Sequence, residues 1–158
     1  MKIQTYILVA ITILLLTLWV PASLNKITDF ESFKHNIYNQ PFNTYIAKVI
    51  IYSIPLLEIT TVVFIVIPKY RLWGFILSTL LLSVFTLYIA AALLNFWDKL
   101  PCGCGLIISS MNWHEHLWFN SIFLILSATA WSIQFSLQKI PLINYKIFND
   151  NKTSESRF

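Results

Sequence analysis

Charge is what this chain of 158 residues lacks most: Asp, Glu, Lys and Arg make up 11% of it, against 57% hydrophobic residues. A soluble globular domain carries about 25% charged residues. Composition therefore excludes such a domain and leaves no room for a sizeable one outside the lipid. The expectation is an integral membrane protein built as one compact helical unit, with the lipid bilayer as its first partner. The formal net charge of +4 does not point to nucleic acid, because the eleven Lys and Arg are scattered over termini and short loops. Such a scatter serves topological anchoring. Glycine is scarce as well, with three in the chain, and there is neither an internal repeat nor a low-complexity tract. Cysteine is scarcer still: Cys102 and Cys104 are the only two, and Gly103 and Gly105 flank Cys104.

What the chain has in quantity is long apolar runs. A span of lipid needs roughly 20 mostly apolar residues, and four stretches qualify: about Tyr6 to Val20, Tyr45 to Ile67, Leu72 to Phe96, and Trp113 to Phe135. Pro68-Lys69-Tyr70-Arg71 is a tight turn, so the second and third spans are antiparallel neighbours. The first stretch competes with a signal peptide, since Lys2 precedes its apolar core and Pro21-Ala22-Ser23 follows it. Bulky residues up to Val20 favour a retained helix. Between spans one and two, Ile27, Phe30, Phe33 and Ile37 recur at spacings of three and four, which predicts a short amphipathic helix at the interface. Thr28 with Glu31 three residues on makes a candidate capping box. This helix serves to lid the bundle or to shelter the thiols. Trp19, Trp73, Trp97, Trp113 and Trp118 fall near span ends, as an aromatic belt does.

The fold class expected is thus all-α, an integral membrane four-helix bundle with a short amphipathic interfacial helix between spans one and two. Residues 1–138 form the transmembrane domain, and residues 139–158 a polar cytoplasmic tail expected to be disordered. Basic residues set the orientation. With the N-terminus inside, Lys2, Lys69, Arg71, Lys139, Lys146, Lys152 and Arg157 are cytoplasmic. Lys26, Lys34, Lys48 and Lys99 are then on or near the other side. Seven against four favours both termini inside, and the cysteine loop then faces outward. In a bacterium that face is the oxidising periplasm, where paired thiols persist as disulfides.

Pro101-Cys102-Gly103-Cys104-Gly105 carries the clearest chemistry. A Cys-Gly-Cys disulfide closes a very small ring, which glycine's backbone freedom permits and which residual strain makes reducible. A structural staple would join distant segments, because stabilisation grows with loop length. Redox exchange is therefore the first reading. Metal binding is a second, using the thiols with His114 and His116. Two inert thiols are a third. Positions i and i+2 point to different helix faces, which weakens the metal set, and no metal is assigned. His116 and Asn120 share a face with Ser127 further along. An inward His116 near the thiols can take a cysteine proton; otherwise it sits at the headgroup level.

Glu58 is the costliest residue, a carboxylate near the middle of span two where a partner is normally required. Pro55 on the same face frees a backbone carbonyl. Thr79, Ser83 and Thr86 form a small polar stripe on span three suited to close packing, and Ser83 or Thr86 is expected at the depth of Glu58. The pattern fits a proton or quinone site, or else a protonated structural glutamate. The lack of further intramembrane charges argues against a proton-coupled pump.

Several of these pieces occur together in one family. They are Asn25 to Phe30 with Phe33, Ile54-Pro55-Leu56-Leu57-Glu58, Phe85-Thr86-Leu87-Tyr88, Pro101 to Gly105, and then Trp113, His116-Leu117 and Asn120. Over roughly residues 20 to 130 the chain resembles the DoxX-related membrane proteins typified by the methylamine-utilisation protein MauE. The resemblance implies a four-helix bacterial membrane protein associated with redox maturation of exported proteins. It also implies help with disulfide formation alongside a thioredoxin-like partner. The plan is similar to that of DsbB and vitamin K epoxide reductase, which relay electrons to quinone through a second cysteine pair that this chain lacks.

The function expected is that of an inner-membrane protein whose Cys102 and Cys104 exchange electrons with a periplasmic thioredoxin-like protein. His116 handles protons, and Glu58, Thr86 and Asn120 line an interior site. No cofactor is certain, and a quinone is the candidate acceptor. The rivals are a non-catalytic scaffold for a maturation complex and a small metal carrier or transporter.

Overall fold

Apolar runs with few breakers leave the backbone no partner in lipid but itself, so helices are the available solution. The computed structural model of the chain describes residues 2–40, 42–94 and 112–155. They form α1 (Lys2–Thr28), α2 (Phe30–Tyr38), α3 (Thr44–Val66), α4 (Arg71–Leu93) and α5 (Trp113–Glu155). α1, α3, α4 and the His114–Gln138 part of α5 are long and apolar enough to cross a membrane. The all-α four-helix membrane architecture is as expected. Several boundaries are not. α1 runs on through Pro21 to Thr28, eight residues beyond the predicted end at Val20. α5 stays helical past residue 139 to Glu155.

The helices stand in a ring. α1 packs against α3 and α5, and α4 packs against the same two, so α1 faces α4 and α3 faces α5 across the diagonals. Each helix buries one narrow stripe: Leu8, Ile11, Leu15, Trp19 and Lys26 on α1, and Ala47, Ile51, Pro55, Glu58, Thr61 and Ile65 on α3. Steps of three and four residues keep such a stripe on one helix face. Gly74 sets the approach of α3 and α4. A Cβ placed there would stand 2.6 Å from the Ile65 nitrogen and 2.9 Å from the Phe64 carbonyl carbon. The small residue lets the backbones meet, which is how membrane helices gain close contact.

Two sequence expectations are corrected here. Trp19 is buried in the core with Leu15, Ile65, Phe75 and Leu82, whereas Trp73 and Trp118 are exposed as belt residues are. Trp19 lies at the end of the predicted span but inside the longer helix that forms, with its indole N–H donating to Ser78 Oγ at 2.9 Å. Nor does Thr28 cap α2. It ends α1, its hydroxyl donating to the Leu24 and Asn25 carbonyls at 3.1 and 3.3 Å, and Asp29 precedes α2 without a side-chain cap.

Candidate functional site

α4 ends and α5 begins at the bundle end that also holds α2, because α1, α3, α4 and α5 alternate in direction. Cys102 and Cys104 belong to the connection between them and lie outside the described residues, as do Trp97 and Lys99. The described groups that frame it are clear. Asn112 immediately precedes α5, and its N–H donates to the Glu115 carboxylate at 2.9 Å, the reach-back half of a capping box. One turn on, His116 is buried, and so are Asn120 and Ser127, so the shared face read from their spacing does point inward. His114 is exposed, on a different face from His116. Among the described residues no three His, Cys, Asp or Glu side chains gather as metal ligands.

α2 closes the same end. Phe33 and Ile37 pack with Ala47 and Ile51 of α3, and Phe30 lies against them, as the spacing predicted, whereas Ile27 belongs to α1 and is exposed. The link beyond α2 is fastened to α4: the Tyr88 hydroxyl donates to Gln40 Oε1, and the Phe42 and Tyr88 rings lie 5.8 Å apart. Gln40 has no apolar spacing or motif to mark it in the sequence.

Deeper in the bundle the partner of Glu58 is Lys26. Nζ and Oε1 are 2.8 Å apart, and the two residues are 8% and 1% exposed. The expected partners, Ser83 and Thr86, are only partly buried, and each hydroxyl donates to its own helix, to Thr79 and Leu82 carbonyls at 2.7 Å. Serine and threonine in helices commonly satisfy themselves this way. Loop counting places Lys26 among the outer charges. Because α1 continues past Pro21, Lys26 instead falls on the buried stripe, seven residues after Trp19. Side chains lean toward the N-terminus of their helix, so the Lys26 stem reaches back toward the bundle middle. Extending the α1 stripe two turns beyond Trp19 reaches it.

Below the ion pair is a hydroxyl cluster. Ser127 Oγ donates to Ser78 Oγ at 2.9 Å and lies 3.0 Å from Thr79 Oγ1. With Trp19 on Ser78, this ties α1, α4 and α5 together. Two contacts fix the registers, Gly74 against Ile65 and Ser78 against Ser127. Counting up from them at about 1.5 Å per residue, Asn120 stands about one turn and His116 about two turns nearer the α2 end than Glu58. The interior therefore carries polar groups at successive levels: His116, Asn120, Lys26 with Glu58, then the hydroxyls. Glu58 and Asn120 belong to diagonal helices, and Thr86 stands with its hydroxyl turned to its own backbone.

Comparison with curated proteins and with solved structures finds no match. A family model described as methylamine utilisation protein MauE matches residues 4–133, which takes in all four spans up to the middle of α5. By that match and by its four apolar helices, this multi-pass membrane protein belongs to the MauE family.

Proposed function

We propose that the protein is an inner-membrane thiol–disulfide exchange component that supports disulfide formation or maturation of exported proteins, with a periplasmic thioredoxin-like partner. The observation that carries this is the pair Cys102 and Cys104, the only cysteines of the chain, which precede α5 and its buried His116 in the sequence. The exchange balances as follows. A partner thiolate attacks the Cys102–Cys104 disulfide, a mixed disulfide forms, and the second partner thiol displaces it. The partner loses two electrons and two protons, and the pair gains them. His116 accepts and returns a proton as each thiolate forms. A two-electron acceptor of the quinone class restores the disulfide and leaves as hydroquinone.

The outward orientation is supported by the charge balance. With Lys26 neutralised inside the bundle by Glu58, three outer lysines (Lys34, Lys48 and Lys99) oppose seven cytoplasmic basic residues, a wider margin than loop counting gave. The test is trapping. Cys104→Ser leaves Cys102 without its resolving neighbour, so a mixed disulfide with a thioredoxin-like protein should accumulate in cells and vanish on reduction. A partner-free Cys104→Ser protein, together with full exchange activity in the double serine variant, ends this reading.

A further inference from the structure

Glu58 Oε2 is buried and has no hydrogen-bond partner among the described residues. Oε1 is taken by the ion pair with Lys26, which leaves Oε2 for a neutral donor that no described residue supplies. Lys26 itself uses one N–H on Glu58 Oε1 at 2.8 Å and a second, longer one on the Ala22 carbonyl at 3.4 Å. Its third has no acceptor among the described residues. Among the described residues the pair thus leaves one acceptor, Oε2, without a hydrogen-bond partner, next to an ammonium that faces the Phe33 ring.

Aromatic rings lead to this spot from outside. Tyr52 is 68% exposed on the lipid face. Its ring lies 6.1 Å from Phe30, Phe30 lies 6.5 Å from Phe33, and the Phe33 ring lies 5.9 Å from Lys26 Nζ. Phe30 and Phe33 belong to α2, which joins α1 at Asp29 with non-helical backbone (ψ 52°) and no side-chain cap. A flat, lipid-dissolved ring with a hydroxyl group matches both features. We propose that a hydroxyaromatic of the hydroquinone class binds between α2 and α3. Its hydroxyl donates to Glu58 Oε2, and its ring lies against Phe33. This site rests on the redox function proposed above and gives its acceptor a place. Hydroquinone is held more tightly than quinone, whose carbonyl offers Oε2 no hydrogen. A tenfold preference makes the bound quinone a stronger oxidant by about 30 mV.

The test uses full-length protein with both cysteines replaced by serine, in lipid nanodiscs, titrated with decylubiquinol and then decylubiquinone by calorimetry. Removing the thiols separates this outcome from the exchange reaction. Saturable decylubiquinol binding is expected, and Glu58→Gln should weaken it about tenfold or more, because an N–H replaces the acceptor. Binding of decylubiquinone should change less than about threefold in that variant. Phe33→Leu, which keeps the core filled, should weaken both forms by about threefold or more and carries the test if Glu58→Gln fails to assemble. Absence of saturable binding beyond that of empty nanodiscs overturns the proposal. So does decylubiquinol affinity unchanged in the folded variants, the mark of a carboxylate served by a buried water only.

Discussion

Lys26 and Glu58 carry the highest local stakes of any residues in the bundle. A buried pair gains little over an apolar replacement, but breaking it leaves one charge stranded at a cost of about 3–5 kcal/mol. Glu58→Leu alone should therefore lower the stability of the detergent-solubilised protein by about that amount. Lys26→Met combined with Glu58→Leu should restore most of it. A double variant no more stable than Glu58→Leu would contradict the pairing, as thermal unfolding would reveal. Trp19 gives a second check. Trp19→Phe and Ser78→Ala each remove the same buried hydrogen bond, so a double-mutant cycle should return a coupling of about 0.5–1.5 kcal/mol. Additivity within about 0.3 kcal/mol would mean the bond does not hold these helices. The need of Glu58 for a partner was legible from its depth alone. Which residue answered it was not, because Lys26 looked like a loop lysine until Pro21 proved to lie inside a helix.

At the scale of elements, the four spans and α2 could be read from apolar length and spacing, which depend only on local sequence. Boundaries and facing could not. A helix continues as far as packing rewards it, and α1 gains Ser23 and Lys26 as buried positions beyond Pro21. The polar stripe Thr79, Ser83 and Thr86 is suited to close packing by its small residues, and Thr79 does meet Ser127 of α5. The close approach of α3 and α4 at Gly74 against Ile65 was not legible, because a single glycine in an apolar helix gives no sign of what it meets. Gly74→Ala should cost about 1–3 kcal/mol, since its Cβ meets backbone and not a flexible tip. A Gly74→Ala protein as stable as the parent would show that α3 and α4 do not approach as described. The inward face of His116, Asn120 and Ser127 was legible because three residues at helical spacing leave one solution.

For the whole molecule, polar levels run inside an apolar ring from the end where α5 begins to the hydroxyl cluster around Ser127. The family match and the four spans make this a multi-pass membrane protein of the MauE family. The thiol chemistry comes from residues that lie outside the described ones, so it is the sequence, and not the packing, that supports it. Orientation decides whether that chemistry has an oxidising compartment to work in. The most direct measurement is the redox state and accessibility of Cys102 and Cys104 in intact cells, by acid trapping and membrane-impermeant maleimide. The account predicts a pair that is largely disulfide, and that after mild reduction takes the reagent from the outer face. Two thiols that stay reduced throughout, and react only once the cytoplasm is opened, would contradict it.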